Sequence, residues 1–343
     1  MKRARLAVFL LLSTFAFAQS QIVDATVHSP GLEHNLLGDS ADQPISIYLP
    51  AAYSAEPQRR FATIYFLHGY SDTASPRVAR ILQPYLDKLI AAHAIEPMIV
   101  VAPNGLNKYF GSFYTNSAVT GNWDDYIARD VVGYVDAHYR TLAAPGSRGI
   151  AGHSMGGYGA LMLAFRHPDV FGSVYGMSPC CTTLEGDLSP SNQVWKHIAQ
   201  VKSPDELGTI LQHEFLLAAV IAMDAAFAPD PQNRPLLGDP AFVVRGDQLV
   251  PNPEAQAAFA SHVLSTAVPA LLPSIARLHA IYIDYGAEDE FSHIPLGARQ
   301  VSAELARAGI PNTLEVYEGT HGDRVRQRVE QRLLPWMSQQ LKH

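Results

Sequence analysis

Residues 150–159 of the chain, IAGHSMGGYG, place a serine between two glycines in the pattern G-x-S-x-G. Ser154 follows an apolar stretch, and Gly152 and Gly156 lie two residues to either side. A serine at a sharp strand-to-helix turn is held in a strained conformation that exposes its hydroxyl, and the glycines make room for the turn. In a chance occurrence the serine is an ordinary helix cap. The strand before it and the helix after it favour a nucleophile.

A serine nucleophile requires a histidine base within hydrogen-bond reach. In a chain of this pattern the base follows a later strand than the acid. His321 lies between two glycines in GTHGD, after the last predicted strand. His153 lies on the serine turn itself, His293 precedes a helix and His343 ends the chain. We therefore predict that His321 is the base.

The acid that orients the base is expected between the serine and the histidine, after the strand IYIDYG. The next segment, AEDEF, offers Asp289, with Glu288 as the second choice. Asp284 lies inside the strand pattern, where a structural role is expected. The predicted catalytic triad is therefore Ser154, Asp289 and His321.

Two backbone N–H groups are expected to stabilise the oxyanion. The residue after the nucleophile, Met155, supplies the first. The turn LHGYS (67–71) follows an early strand and supplies the second from Tyr70, with Gly69 allowing the backbone to approach. The alternative is that His68 and Gly69 form an ordinary tight turn.

These residues need a scaffold that brings strand ends together, and the rest of the chain predicts one. Short β-branched apolar runs alternate with longer helical stretches, which is typical of a mostly parallel sheet flanked by helices. The predicted strands are 22–27, 45–49, 61–69, 97–103, 147–154, 172–178, 278–286 and 312–319. Helices are predicted over 123–140, after Ser154, and over 297–311. The fold class is therefore α/β.

The alternation stops between residues 180 and 273, after the strand that ends near Ser178. This segment contains one helical apolar run, EFLLAAVIAMDAAF, and two stretches rich in turn residues. We interpret it as a helical cap-like insertion in a single domain, residues 19–343. We expect it to cover the acyl pocket.

Residues 1–18 have the pattern of a secretory signal peptide. Lys2, Arg3 and Arg5 precede an apolar run that ends in Ala-Phe-Ala. The run is shorter than the roughly 20 residues of a membrane-spanning helix. We expect cleavage near Gln19, a secreted or periplasmic protein, and no integral membrane segment afterwards.

Charge and cysteine content exclude some classes of protein. The formal net charge is −7 and becomes more negative without the basic N-terminus, which disfavours a nucleic-acid partner. Cys180 and Cys181 are the two cysteines, so no disulfide framework holds the fold. As neighbours they are free thiols or a vicinal disulfide. No Cys/His spacing indicates a metal site.

Together these segments resemble the esterase D branch of the α/β-hydrolase fold. The resemblance rests on ISIYLPAAY, IYFLHGYSD, WDDYIARDVVGYVDAHYRT, the serine segment, GAEDEF and GTHG. It implies an acyl-serine mechanism with Ser154, Asp289 and His321, oxyanion donors at Tyr70 and Met155, and neither cofactor nor metal. Many relatives have a tryptophan after the catalytic histidine, where this chain has GDRVRQ. The branch includes feruloyl and acetylxylan esterases, S-formylglutathione hydrolases and mycolyl transferases.

The substrate is less constrained by the sequence. Tyr109, Tyr114 and Trp123 lie in a loop after a strand end, where they could stack on a sugar or phenolic ring or anchor the loop on the core. Cys180 is expected at the pocket rim. The expected activity is serine-dependent hydrolysis of short-chain, acetyl or feruloyl (carbohydrate-linked) esters. An acyltransferase or thioesterase would use the same triad, whereas a binding module would have lost part of it. The oligomeric state is left open.

Overall fold

Eight strands form the central sheet of the computed structural model, which describes residues 19–72 and 77–343. In chain order they are β1 (Gln21–His28), β2 (Asp42–Leu49), β3 (Thr63–Leu67), β4 (Ile99–Pro103), β5 (Arg148–His153), β6 (Ser173–Met177), β7 (Ala280–Gly286) and β8 (Thr313–Tyr317). Their spatial order is β1-β2-β4-β3-β5-β6-β7-β8. Strand β2 is antiparallel to both of its neighbours, β1 and β4, and all other neighbouring pairs in this sheet are parallel. All eight predicted strands are present, so the predicted mostly parallel α/β class is confirmed.

Helices cover both faces of this sheet. They are α1 (Ala51–Ala55), α2 (Val78–Ala91), α3 (Trp123–Asp125), α4 (Val132–His138), α5 (Met155–Arg166), α6 (Val194–Ile198), α7 (Pro204–His213), α8 (Phe215–Phe227), α9 (Pro253–Phe259), α10 (Leu264–Ile275), α11 (His293–Arg307), α12 (Val325–Arg328) and α13 (Leu334–Gln340). A wider helical turn, Tyr126–Val131, joins α3 to α4, and Val329–Leu333 joins α12 to α13. The helix predicted over 297–311 begins earlier, at His293.

Alternating side chains of the buried strands build two cores, one on each face of the sheet. On one face Tyr65 and Ile150 pack with α5, and on the other Ile64 packs with α2 and α13. The inner parallel strands, β3 to β7, are buried on both faces, which explains why they are continuous apolar runs in the sequence. Because β3, β5, β6, β7 and β8 are adjacent and parallel, their carboxyl ends lie at the same edge of the sheet.

The 180–273 segment contains more structure than the sequence predicted. It holds the five helices α6 to α10 and a hairpin, Phe242–Arg245 paired with Gln248–Pro251, where one helical run was expected. Helix α8 corresponds to that run, and its residues belong to the same buried cluster as the sheet. The segment therefore packs directly onto the main core.

Two further observations concern targeting. The predicted signal peptide, residues 1–18, lies outside the described residues. Within 19–72 and 77–343 no single helix is long and apolar enough to cross a membrane, and one pair, Pro253–Phe259 with Leu264–Ile275, meets the length and composition criteria only with a 41° bend between its helices.

Candidate active site

Ser154 lies at the turn between β5 and α5, and its backbone has φ 57° and ψ −118°. Residues other than glycine seldom adopt a positive φ, because the side chain then crowds the backbone. A Cβ on Gly156 would lie 2.1 Å from the carbonyl O of Leu67, and one on Gly152 would lie 2.4 Å from the carbonyl C of Gly156. Both glycines are therefore required by the close contact between β3, β5 and α5.

The serine side chain is not used as a helix cap, because it accepts no hydrogen bond from the first turn of α5. Ser154 is half-buried, whereas the following Met155 is fully buried. The hydroxyl is therefore available at the cavity described below.

His321 and Asp289 form a close pair on the loops that follow β8 and β7. His321 Nδ1 lies 2.9 Å from Asp289 Oδ2. The carboxylate can only accept, so the ring donates from Nδ1 and leaves Nε2 as the basic nitrogen. The side chain of Asp289 is 0% exposed and that of His321 12% exposed.

The loop that carries His321 is held by acidic residues of the β7 loop. The N–H of His321 donates to Glu290 Oε2 at 3.0 Å, and the N–H of Gly319 donates to Glu288 Oε2 at 2.5 Å. Glu288, the second choice for the acid, thus binds backbone. Asp284 contacts Arg328, whose Nη2 lies 2.6 Å from Asp284 Oδ2, in a buried network beneath the sheet.

His153 connects the serine turn to the histidine loop. Its Nε2 donates to the carbonyl O of His321 at 2.8 Å, and the two ring centroids lie 4.7 Å apart. Burial first, and then the nearby charge of His321, lower the pKa of His153 to about 4. Its ring is therefore neutral at neutral pH. Because His153 immediately precedes Ser154, this contact places His321 beside the serine turn.

The predicted oxyanion donors lie on two adjacent segments. The N–H of Met155 is at the first turn of α5, where helical N–H groups have no intrahelical acceptor. Tyr70 follows β3, and its side-chain hydroxyl donates to the carbonyl O of Tyr109 at 2.9 Å. Gly69 brings the two segments together, since a Cβ on it would lie 3.6 Å from Ser154 Cβ.

That distance is ordinary van der Waals contact, so a Cβ at position 69 would not overlap its described neighbours. We predicted that position 69 requires glycine so that the backbone can approach, and the space around it does not require glycine in preference to a residue with a Cβ. The turn is instead fixed by buried His68, whose Nδ1 donates to the carbonyl O of Gly69 at 2.8 Å and whose Nε2 accepts from the N–H of Gly105 at 2.7 Å. Burial lowers the pKa of His68, which keeps the ring neutral.

Ser154 opens into a cavity with about 450 Å³ of empty space. Its wall is mostly apolar and comes largely from α8, from residues 180–188 and from residues 291–294, with Tyr70 from the oxyanion turn. The lining residues include Tyr70, Phe113, Phe215, Leu216, Val220, Met223 and Phe291. The 180–273 segment thus supplies one side of the cavity.

Three of the four residues expected to contact substrate are packed elsewhere. Tyr114 and Trp123 are fully buried, with the hydroxyl of Tyr114 donating to the carbonyl O of His68 and Trp123 Nε1 donating to the carbonyl O of Thr120. Tyr109 is 6% exposed and its hydroxyl donates to the carbonyl O of Pro235. These aromatic side chains anchor the loop on the core, which is the second of the two roles that the sequence left open.

Cys180 lines the cavity as expected, next to Cys181. Both thiols are free, with their Sγ atoms 2.7 Å apart. Burial, followed by the hydrogen bond with Cys180, raises the pKa of Cys181 well above its usual value. Cys181 is therefore a protonated and unreactive thiol at neutral pH.

A family model described as "Putative esterase" matches residues 40–327. The chain belongs to this esterase family. Two curated relatives share 29% identity with parts of it: an endo-1,4-beta-xylanase/feruloyl esterase of Xylanibacter ruminicola and the esterase Rv1288 of Mycobacterium tuberculosis. The alignments cover 38% and 45% of this chain, and only 18% and 33% of those proteins.

Solved structures resemble this esterase-family member over nearly its whole length. A ferulic acid esterase has a TM-score of 0.61 at 18% identity, covering 94% of this chain and 99% of the other. An S-formylglutathione hydrolase from Agrobacterium tumefaciens has a TM-score of 0.60 at 15% identity, covering 95% and 97%. At such identities the likeness concerns the fold, which is the α/β-hydrolase fold.

Several cavity residues of this family member were not found from the sequence. Phe215 and Phe291 line the cavity, and so does His293. Helix α8 is apolar on all sides, which indicated burial but not contact with the site. Within the described ranges, no group of three or more His, Cys, Asp or Glu side chains is placed to hold a metal ion.

Proposed function

We propose that the protein hydrolyses carboxylic esters through an acyl-enzyme on Ser154. The observation that carries this proposal is the 2.9 Å contact between His321 Nδ1 and Asp289 Oδ2, beside a serine held at φ 57° on the strand-to-helix turn. Membership of the esterase family supports the same reaction class.

In the proposed mechanism Ser154 Oγ attacks the acyl carbonyl while His321 Nε2 takes its proton. Asp289 holds the ring in the tautomer with the proton on Nδ1. The N–H groups of Met155 and Tyr70 stabilise the oxyanion of the tetrahedral intermediate. His321 then returns the proton to the leaving alcohol, and water, activated by the same histidine, releases the acid.

The cavity supports an apolar acyl group as the part of the substrate that enters beside Ser154. Its wall contributes aromatic and aliphatic side chains, among them Phe215 and Phe291. We propose short-chain, acetyl or feruloyl esters, including esters linked to carbohydrate. The names of the xylanase/feruloyl esterase relative and of the ferulic acid esterase structure support this choice.

The test is hydrolysis of p-nitrophenyl acetate, butyrate and octanoate beside methyl ferulate and acetylated xylan, with Ser154→Ala as the blank. Ser154-dependent turnover of methyl ferulate or acetylated xylan would support a polysaccharide-directed esterase. Turnover that shifts from water to an added alcohol would indicate an acyltransferase, and a preference for a matched thioester would indicate a thioesterase. Turnover that is unchanged in Ser154→Ala would contradict the mechanism.

We further propose that the protein is exported, on the basis of residues 1–18. Expression of the full chain and of a chain that begins at Gln19 should give mature-length protein outside the cytoplasm only for the former. N-terminal sequencing would locate the cleavage. Retention of the full chain at its original mass in the cytoplasm would contradict export.

A further inference from the structure

A second histidine–aspartate pair lies at the same cavity as Ser154. His293, the first residue of α11, lines the cavity and is 5% exposed. Its Nε2 is buried and has no hydrogen-bond partner among the described residues. Buried polar atoms usually have a hydrogen-bond partner, and because His293 borders the cavity, a molecule bound there can supply one.

Asp187 fixes the orientation and tautomer of this ring. Asp187 Oδ1 accepts from the backbone N–H of His293 and from its Nδ1, each at 2.8 Å. Burial opposes ionisation of Asp187, but the hydrogen bonds from His293 outweigh it and lower the pKa of the carboxyl. A carboxylate has no proton to give, so Nδ1 carries the hydrogen, and in the neutral ring Nε2 is the acceptor.

The surroundings explain why no protein group satisfies Nε2. The neighbouring cavity residues Leu188, Phe291 and Ile294 are apolar, and the side chains of α8 that face the cavity are apolar as well. Cys181 also lines the cavity, but burial raises the pKa of its thiol, and a thiol is a weak donor. Apart from Ser154, and from Tyr70, whose hydroxyl already donates to the carbonyl O of Tyr109, the described residues of the wall offer no strong donor.

We propose that His293 is a specificity-determining residue whose Nε2 accepts a hydrogen bond from a hydroxyl carried on the acyl group of the ester. This inference rests on the proposed function, because it assumes that the cavity receives the acyl group. In the bound ester the carbonyl carbon would lie at Ser154, so the acyl hydroxyl that reaches His293 must be on a carbon further along the acyl group. An acyl group without it would leave Nε2 unsatisfied, and sites built around a hydrogen bond discriminate strongly against such analogues.

The experiment compares matched esters that differ by one hydroxyl. Methyl cinnamate is compared with its 2-, 3- and 4-hydroxy derivatives, and methyl butyrate with methyl 3-hydroxybutyrate. We expect kcat/KM for at least one hydroxylated ester to exceed that of its parent by about 10-fold or more. In His293→Leu this ratio should fall towards one, mainly by loss on the hydroxylated ester.

Two further variants separate specificity from folding and from cavity shape. His293→Gln keeps an amide that can donate to Asp187, so it should fold while lowering the ratio. Met223→Leu changes the shape of the cavity wall but not its polarity. It should therefore change kcat/KM by the same factor for the hydroxylated ester and for its parent. Calorimetric binding of the matched free acids to Ser154→Ala should show the same preference without turnover.

Failure of this inference is distinguishable from failure of the proposed function. Ser154-dependent hydrolysis of p-nitrophenyl acetate, whose acyl group is too short to carry the hydroxyl, tests the function alone. Equal rates for every matched pair in the wild type, or a preference that survives in both His293 variants, would overturn the role of His293. Equal binding of the matched acids to Ser154→Ala would overturn it independently of turnover.

Discussion

Two histidine–aspartate pairs lie at the carboxyl edge of the sheet, and they differ in what surrounds the free ring nitrogen. His321 and Asp289 come from the loops after β8 and β7, with Nδ1 2.9 Å from the carboxylate. His293 begins α11 and takes its partner, Asp187, from the 180–273 segment at 2.8 Å. The first pair lies beside the strained serine turn, whereas the second lies in an apolar wall.

Because the contact between histidine and aspartate is the same in both pairs, it does not by itself show whether the histidine is a base or a binding residue. Both carboxylates impose the same tautomer, with the proton on Nδ1 and a free acceptor at Nε2. A base needs a nucleophile within reach of that nitrogen, and a binding group needs a donor from the substrate. Position relative to Ser154 therefore distinguishes the proposed base from the proposed specificity residue.

The largest expected effect is loss of the nucleophile or the base of the first pair. Ser154→Ala and His321→Ala should each lower kcat for p-nitrophenyl acetate by at least about 10⁴-fold, because these groups act as a unit. Stopped assays with purified variants and circular dichroism would measure activity and folding together. A folded His321→Ala variant with near wild-type kcat would remove His321 from the mechanism.

The carboxylates provide the sharpest contrast between the pairs. Asp289→Asn should lower kcat for p-nitrophenyl acetate by about 10²- to 10⁴-fold, since the wrong tautomer then faces the serine. Asp187→Asn should change the same rate by less than about 5-fold, because its histidine does not move the proton. Equal losses in the two variants would contradict the assignment of the first pair as catalytic.

The support of the first pair by His153 predicts a pH dependence of stability. The folded-state pKa of His153 is about 4, below the value of 6.5 for an exposed ring. Between those values the unfolded state binds more protons, so stability is complete above pH 6.5 and falls as the pH approaches 4. The contribution lost is about 3 kcal/mol at most.

Chemical denaturation of the wild type and His153→Gln between pH 4 and 7 measures this contribution. The variant should show a shallower fall in the free energy of unfolding over that range. His262, whose pKa burial also lowers to about 4, and His68, whose pKa burial lowers as well, should contribute to the slope in both proteins. Identical slopes would show that His153 is not held neutral by the fold.

The smallest effect is expected at the apolar wall, which we propose contacts the acyl group but not the reacting atoms. Phe215→Ala should lower kcat/KM for p-nitrophenyl octanoate by about 10-fold, through loss of buried apolar contact. It should change the acetate by less than about 3-fold, because a two-carbon acyl group reaches little of α8. A uniform loss on both esters would indicate that Phe215 supports the serine site instead.

The sequence predicted the sheet and the first pair because both follow from local patterns. Buried parallel strands are continuous apolar runs, and the order of serine, acid and histidine follows from one strand end to the next. Asp289 was chosen over Glu288 from position alone, and the structure places Asp289 against His321.

The second pair could not be predicted in the same way, because its members lie 106 residues apart and Asp187 belongs to a segment without strand periodicity. The sequence also could not decide whether Tyr114 and Trp123 are exposed or buried, because the aromatic side chains of a loop can pack on the core or bind substrate. Helix α7 was not predicted, although its first residues have a recognisable helix-start pattern. Ser203-Pro204-Asp205-Glu206 is a capping box, with Ser203 Oγ accepting from the N–H of Glu206.

Covalent labelling tests most directly whether Ser154 is the nucleophile. The wild type, Ser154→Ala and His321→Ala are incubated with a fluorophosphonate, and adducts are located by peptide mass spectrometry. We expect one adduct per chain on the peptide that contains Ser154, much slower labelling of His321→Ala, and none of Ser154→Ala. An adduct on another residue, or ester hydrolysis by a wild type that the reagent neither labels nor inhibits, would contradict an acyl-enzyme on Ser154.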